Sequence, residues 1–451
     1  MQHNAIKIPS SSLTGSYKWL TLTVLSLLSA GLLTFVVVFS RTPLIKEFFI
    51  FKDFFNKALV AHVDLSQLYF MALSAIFLNY CFFKLPKIFN QLSFTVALSS
   101  ILMVIITTFL SNSSPILNNY IPVLEHPLFS IALALFFFVM LANAFMALYQ
   151  NRKIIHDNIP ISALTCYNLI ICLAFFNLYA SHIYIEKNQI IAEYYEILFW
   201  GFGHVLQFAN VVLLVFCWWL ILERCNIKHY LSSKVFSYNL AIHFALALLT
   251  AIFFTQSKLD IYSFKQQFTN HMIYFGSVLV CLIFLFIIPS LNKLYKKNNS
   301  LFEKSLLNCL CCSALLFFYG GFLGLLIKES NTMIPAHYHG STIGITIALL
   351  GMIYLFLDKL TKLDKIAKLI FWQPIIYVTG QLIHITGLAV SGGYGALRKA
   401  PDSIHGFSAK FWMGVMGTGG LITMIAGVLF FIICYKALKL YNNEKIKGKK
   451  S

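Results

Sequence analysis

The chain has 451 residues, of which 59% are hydrophobic and 11% are charged, and its mean hydropathy is +0.77. These values exclude a soluble globular protein of this length. The net charge of +18 would suit a nucleic-acid partner, but Lys and Arg cluster in short alternate loops such as NRK (151–153), NKLYKK (292–297) and DKLTKLDKIAK (358–368). This is the positive-inside pattern of membrane proteins. We therefore expect both termini in the cytoplasm, contact with the lipid bilayer, and no nucleic-acid partner.

Twelve apolar runs follow one another along the chain, each of about 18 residues or more and long enough to cross a bilayer as a helix. They lie at 17–40, 59–83, 92–111, 127–149, 161–185, 195–222, 236–256, 270–290, 304–327, 336–357, 370–392 and 409–437. The first run is too long for a cleaved signal peptide. The pattern predicts an all-α integral membrane protein, a single polytopic domain over 1–451, that crosses a bacterial inner (plasma) membrane many times.

Histidines lie near the start of the even-numbered helices, which are expected to run from outside to inside. Helix 2 carries His62, helix 6 carries His204, helix 8 carries His271, and helix 10 carries His337 and His339. The five side chains should therefore lie at one depth, in the outer half of the bilayer. Hydrocarbon is a poor solvent for imidazole, so such residues need partners. One such histidine could be a hydrogen-bonded structural residue, but a layer of them predicts a bound cofactor.

Helix 10 begins with IPAHYHG (334–340), in which His337 and His339 are two positions apart. Residues two apart on a helix project about 200° from each other at nearly equal depth. One helix can therefore supply an imidazole to each of two neighbouring sites, as two side-by-side haems would need. The ten cysteines form no CxxCH attachment motif, so any haem here is expected to be held without thioether bonds.

The outer end of helix 11 reads GQLIHITGLAVSGGYGALRKAPD (380–402). Arg398 and Lys399 depart from the positive-inside pattern, and they lie just above the expected histidine layer. Haem propionates are carboxylates, and adjacent cations can pair with them. We interpret this pair as propionate-binding; the alternative is an ordinary pair of interfacial cations.

Along most of its twelve helices, the chain resembles subunit I of the haem–copper oxygen and nitric oxide reductases. The resemblance is carried by VAHVDLS in helix 2, FWGFGHVLQF in helix 6, H-x-H in helix 10, and IHITGL followed by ALRKAPD in helix 11. It implies a bundle like that of haem–copper oxidase subunit I, with two haems. His62 and His339 would ligate a low-spin haem, and His337 would ligate a high-spin haem.

The resemblance also implies roles for four further residues. His204 falls at a copper-ligand position, Arg398 and Lys399 at the propionate-binding pair, and His384 at a nearby structural histidine. The implied function is that of a respiratory terminal oxidase, an oxidoreductase of the cytochrome c oxidase or nitric oxide reductase type, reducing O2 or NO at the high-spin haem. The implied partner is an electron-donor subunit bearing a cytochrome or copper.

Helix 7 departs from the family pattern, which takes two adjacent copper-binding histidines from it. Its one histidine, His243, is expected about 15 Å too deep at 1.5 Å per residue. His271 is a possible second ligand of a second metal, and no third is expected at that depth. Copper usually needs three imidazoles or comparable ligands, so we expect a weak, altered or absent copper site.

Three alternatives to a working reductase stay open. The first is a diverged haem subunit without copper, serving electron transfer, gas sensing or assembly. The others are a secondary transporter and a membrane scaffold without cofactor. Transporters often bind their substrates near the midplane, whereas the histidines here favour one leaflet.

Overall fold

The computed structural model describes residues 10–43, 45, 54–153, 156–185, 189–227, 231–255, 260–289, 299–399 and 406–448. Within these ranges, twelve helices are long and apolar enough to cross a membrane, which confirms the predicted number and order of spans. They are α1 Ser16–Phe39, α2 Phe55–Phe82, α3 Lys87–Phe109, α4 Pro127–Gln150, α5 Ile159–Tyr184, α6 Ile191–Arg224, α7 Ser233–Phe254, α8 Ile261–Ile287, α9 Leu301–Leu325, α10 Met333–Leu360, α11 Asp364–Gly393 and α12 Phe407–Asn443. The side at which the even-numbered helices begin is called the outer side below.

The start of α8 lies well outside the apolar run that predicted this helix. The helix begins at Ile261, nine residues before the predicted start at 270. Its first turns contain Lys265 and Gln266 beside the buried Phe264 and Phe268. Only one face of this segment is apolar, so a search for continuous apolar runs does not detect it.

Three of the helices depart from regular α geometry. In α2 a π-helical turn, Asp64–Tyr69, follows directly after the segment that carries His62. The last part of α7, Leu249–Phe254, is a 3-10 helix, and α8 is divided between Phe275 and Val278. Such irregular turns in membrane helices often mark functional sites.

A β-hairpin connects α3 to α4 on the outer side. Strand β1, Ser114–Ile116, pairs antiparallel with β2, Val123–Glu125. The sequence analysis did not predict it, because each strand is only three residues long and no periodic pattern is visible over that length. The loop of this hairpin places Asn118, Asn119 and Tyr120 near the histidine-bearing helices.

Glycines allow two pairs of helices to approach closely. In the α9–α10 pair, a Cβ atom added to Gly320 would lie 2.7 Å from the Cα atom of Gly340. In the α11–α12 pair, a Cβ atom on Gly387 would lie 2.4 Å from the backbone nitrogen of Met416. Small residues at such crossings are typical of membrane bundles. These close approaches bring the backbone of one helix to the histidines of its neighbour.

Polar pairs join helices below the histidine layer. Asn79 in α2 and Asn168 in α5 exchange two side-chain amide hydrogen bonds of 3.0 Å in the buried interior. At the inner end of α6, Arg224 forms ion pairs with Glu303 at 3.1 Å and with Asp358 at 3.2 Å. Since Glu303 lies on α9 and Asp358 on α10, this arginine fixes three helix ends together.

Candidate functional site

Three histidines share one hydrogen-bonding arrangement. The Nδ1 atom of His62 lies 3.0 Å from the carbonyl oxygen of Ala30. The Nδ1 atom of His337 lies 2.7 Å from the carbonyl oxygen of Gly320, and that of His339 lies 2.7 Å from the carbonyl oxygen of Pro335. A carbonyl oxygen only accepts, so each Nδ1 carries the hydrogen and each Nε2 presents a lone pair. Metal-binding histidines are typically oriented in this way by their second nitrogen.

These three side chains lie in the interior but are not tightly packed. Each is surrounded by protein atoms, yet each keeps part of its surface accessible, in contrast to the buried residues around it. Accessible surface inside a bundle requires open space beside the imidazole. The donor set and this space together fit the binding of a large flat cofactor such as haem.

His62 and His339 approach each other from α2 and α10. The two imidazoles are close enough to interact electrostatically, and Thr34 of α1 adds a hydroxyl 3.2 Å from the Nδ1 atom of His62. The ring centroid of His384, in α11, lies 5.2 Å from that of His339. His384 donates its own Nδ1 hydrogen to the carbonyl oxygen of Met416 at 2.9 Å. This group therefore joins α1, α2, α10, α11 and α12.

His337 lies against α9 rather than against the His339 group. The carbonyl of Gly320 holds its Nδ1 atom, and a Cβ atom on Gly324 would lie only 2.6 Å from that same nitrogen. The imidazole thus occupies space that a side chain at position 324 would fill. The GGFLG segment of α9 (320–324) was the sequence signal for this contact, and the sequence analysis did not use it.

His204 is a buried residue whose two nitrogens both have partners. Its Nδ1 donates to the carbonyl oxygen of Trp200 at 2.8 Å, and its Nε2 accepts the hydroxyl hydrogen of Tyr120 at 3.1 Å. The ring of Phe268 lies 5.6 Å away, centroid to centroid. Tyr120 comes from the hairpin loop and is a functional candidate that the sequence analysis missed.

His271 and His243 pack against the same ring, that of Phe208. Their centroids lie 5.2 Å and 5.0 Å from it. The Nε2 of His243 donates to the carbonyl oxygen of Phe208 at 3.0 Å, and Phe208 follows His204 by one turn of α6, about 6 Å of helical rise. The Nε2 of His271 donates to the carbonyl oxygen of Leu246 at 2.9 Å. Among the described residues, no group of three or more His, Cys, Asp or Glu side chains could hold a metal ion.

Cations follow the outer ends of α1 and α11. Lys399 donates to the carbonyl oxygen of Asn118 at 2.6 Å. Burial lowers the pKa of Lys399 to about 8, with a smaller contribution from the neighbouring charge of Arg398. Arg41, just after α1, donates from Nη2 to the carbonyl oxygen of Leu397 at 3.3 Å. Its Nε atom is buried and has no partner in the described chain. Burial also lowers the pKa of Arg41. The buried Nε donor leaves this guanidinium able to hydrogen-bond an anionic partner. Arg41 is not among the site residues predicted from the sequence.

Comparisons with known proteins show similarity at the level of the family and of the fold. The family model described as Cytochrome C and Quinol oxidase polypeptide I matches residues 16–429. An uncharacterised protein of Rickettsia prowazekii (strain Madrid E) is 30% identical over 516 positions, covering 99% of each chain. Another, of Aquifex aeolicus (strain VF5), is 27% identical over 359 positions, covering 78% of this chain and 86% of that one. The structure of a heme-copper terminal oxidase dimer shares the fold, with a TM-score of 0.73 over 95% of this chain and 84% of that chain, at 12% identity.

Proposed function

Because the chain belongs to the family of cytochrome c and quinol oxidase polypeptide I, the subunit I family of haem–copper oxidases, we propose that it is the haem-binding subunit of a respiratory enzyme that reduces O2 or NO. The observation that carries this proposal is the shared orientation of three imidazoles that, unlike the buried His204 and His384, keep accessible surface beside them. His62, His337 and His339 each donate from Nδ1 to a backbone carbonyl and present Nε2 as a ligand. We further propose a bacterial inner membrane with both termini in the cytoplasm.

His62 and His339 would hold one haem between α2 and α10. Two neutral imidazoles would complete the axial coordination of its iron and close it to gases, which suits electron transfer. The carbonyls of Ala30 and Pro335 fix the tautomers and limit ring rotation. These backbone partners should keep the site rigid during a change of redox state.

His337 would be the one histidine that holds the second haem. A haem bound there would supply an iron for binding and reducing a diatomic gas. The protein's contribution is the fixed position of His337 between Gly320 and Gly324. An electron-donor subunit carrying a cytochrome or copper would deliver the electrons.

Arg398, Lys399 and Arg41 would bind the haem carboxylates. All three cations lie at the outer end of the histidine group, and Arg41 still has an unpaired buried Nε donor. An added carboxylate would satisfy that donor and offset the burial of Lys399. In this proposal His384 is a structural residue, since its Nδ1 fixes α11 to α12.

A reduced-minus-oxidised absorption spectrum of the purified protein tests the first haem. We expect a low-spin bis-histidine signal that His62→Ala removes. His182 is an exposed histidine bonded to Tyr194, and His182→Ala should leave the spectrum unchanged. A signal that survives unchanged in His62→Ala would contradict the assignment.

Carbon monoxide tests the second haem. It should shift part of the spectrum of the reduced protein, and His337→Ala should abolish this shift without removing the low-spin signal. If the wild-type protein forms no carbon monoxide complex, the chain cannot reduce a gas as proposed.

A diverged haem subunit without copper is the second candidate. It is favoured by the hydrogen bonds that occupy both nitrogens of His204, the residue at the copper-ligand position. Such a subunit would serve electron transfer, gas sensing or assembly. Measured consumption of O2 or NO by the purified complex would decide for the reductase, and its absence would favour the diverged subunit.

A further inference from the structure

The hairpin loop places Tyr120 directly on the outer part of α6. Its ring lies where Gly203 has no side chain: a Cβ atom there would be 2.1 Å from the ring carbon Cγ. The same ring packs edge-on against Trp200, with centroids 5.6 Å apart, and lies 4.9 Å from the ring of His204. A residue larger than glycine at 203 would displace the phenol, so this glycine is required for the contact with His204.

Polar contacts from three directions fix the loop in place. Glu196 of α6 accepts hydrogen bonds from the backbone at 3.0 Å and from the side-chain amide of Asn119. Lys265 of α8 forms an ion pair with Glu196 at 2.8 Å. Lys399 donates to the carbonyl oxygen of Asn118. The loop is thus bound to α6, to α8 and to the segment after α11, which holds the phenol at a defined position.

We propose that Tyr120 is a positioning residue that holds His204 as a hydrogen-bond acceptor, and that the copper position of the family takes no copper in this chain. The inference rests on the proposed function, since it concerns the second-metal position beside the gas-binding haem. His204 could bind copper only through Nε2, because Nδ1 carries the hydrogen bonded to Trp200. That Nε2 lone pair accepts the hydrogen of Tyr120 instead.

The neighbouring histidines are not gathered into a copper site. His271 and His243 each donate from Nε2 to a backbone carbonyl, which leaves the Nδ1 atom of each buried and without a partner in the described part of the chain, but the side chain of Phe208 lies against both rings. Among the described residues no group of three or more His, Cys, Asp or Glu side chains could hold a metal ion. Copper would need the hydrogen bond from Tyr120 to His204 to break, and Phe208 and the imidazoles to move. The position therefore presents a neutral phenol–imidazole pair where the family has a metal.

The first experiment measures metal content. The purified protein in lipid nanodiscs is incubated with Cu(I), washed with a chelator, and analysed for iron and copper. We expect two irons per chain and no stoichiometric copper. One copper per two irons, lost in His204→Ala, would overturn the inference, and it would leave the proposed gas reduction intact.

The second experiment reads the hydrogen bond itself, by solid-state NMR of protein labelled with ¹⁵N-histidine. The reduced carbon monoxide complex is used, because both of its irons should then be diamagnetic. His204→Ala identifies the signals of His204. We expect a protonated Nδ1 and an unprotonated, hydrogen-bonded Nε2 whose signal moves in Tyr120→Phe.

Tyr354→Phe is the matched control. Tyr354 is also buried, and its hydroxyl donates to Gln373 at 3.0 Å, remote from His204. Tyr354→Phe should leave the His204 signals in place. If the hydroxyl of Tyr120 had only a structural role, Tyr120→Phe would give the same result as Tyr354→Phe. An Nε2 signal that does not move in Tyr120→Phe, or a protonated Nε2 in the wild type, would overturn the inference. Absence of any carbon monoxide complex would instead refute the proposed function.

Discussion

Replacing Gly320 by alanine should disturb the His337 site, whereas the same change one residue later should not. A Cβ atom at Gly320 would lie 2.2 Å from the backbone nitrogen of Ser341 and 2.6 Å from the carbonyl carbon of Gly340. Both are backbone atoms of α10, so no side chain can turn aside to make room. A Cβ atom at Gly321 would meet nothing within 4 Å, which makes Gly321→Ala the matched control.

The size of the effect follows from these distances. To bring the contact from 2.2 Å to an ordinary 3.4 Å, α9 and α10 must separate by 3.4 − 2.2, or about 1.2 Å. The same movement would lengthen the bond from His337 to Gly320, now 2.7 Å, beyond hydrogen-bonding range. Overpacking of this kind costs roughly 1–3 kcal/mol, and the lost hydrogen bond adds about 1 kcal/mol.

Two measurements check this prediction. Thermal unfolding in detergent should give a lower midpoint for Gly320→Ala than for Gly321→Ala. Resonance Raman spectra of the reduced protein should show a displaced iron–histidine vibration only in Gly320→Ala, because loss of the Nδ1 hydrogen bond makes the imidazole a weaker donor. If the two variants agree in both measurements, the reasoning about the α9–α10 contact is refuted.

Three further predictions concern stability. Asn79→Leu should destabilise the chain by roughly 1–3 kcal/mol because Asn168 loses its buried amide partner, and the double change to leucine should recover part of the loss in thermal unfolding. Lys399 has a pKa of about 8 in the folded chain, against an ordinary 10.5, so the unfolded chain binds more protons between these values and stability should rise with pH across that window. Lys399→Met should flatten the profile, and a wild-type profile that falls would contradict the burial of this charge. Arg224→Met should lower the thermal midpoint by leaving Glu303 and Asp358 unpaired, and adding Glu303→Gln and Asp358→Asn should restore it in part.

The twelve spans were predictable because a bilayer imposes one strong requirement, a long apolar run, on every helix. Boundaries were less predictable where a helix continues into polar surroundings. The first turns of α8 are amphipathic, and the helix of the twelfth span continues to Gly448, eleven residues past its expected end at 437. In both places helical hydrogen bonding extends beyond the apolar run that was used to detect it.

The partners of the histidines were not predictable from the same pattern. His62, His337 and His339 are each fixed by a carbonyl group, and every residue has one, so no residue type marks the partner. The approach of α9 to α10 depends on Gly320 and Gly340 meeting across the interface, a relation that a single sequence does not reveal. Tyr120 reaches His204 from a loop 84 positions away in the chain.

The depth of His243 cannot be obtained by counting residues. Counting along α7 assumes that the ends of all helices lie in common planes, but α7 has 22 residues and α6 has 34, so equal positions along the two helices are not equal depths. In the structure the Nε2 atom of His243 donates to the carbonyl oxygen of Phe208, one turn after His204 in α6, and its Nδ1 atom is buried without a partner among the described residues. Hydrogen bonding therefore does not prevent His243 from being a ligand, but the Phe208 ring packs against its imidazole, with centroids 5.0 Å apart. In our proposal that no copper binds here, Phe208 would have to move before His243 could reach a metal held by His204.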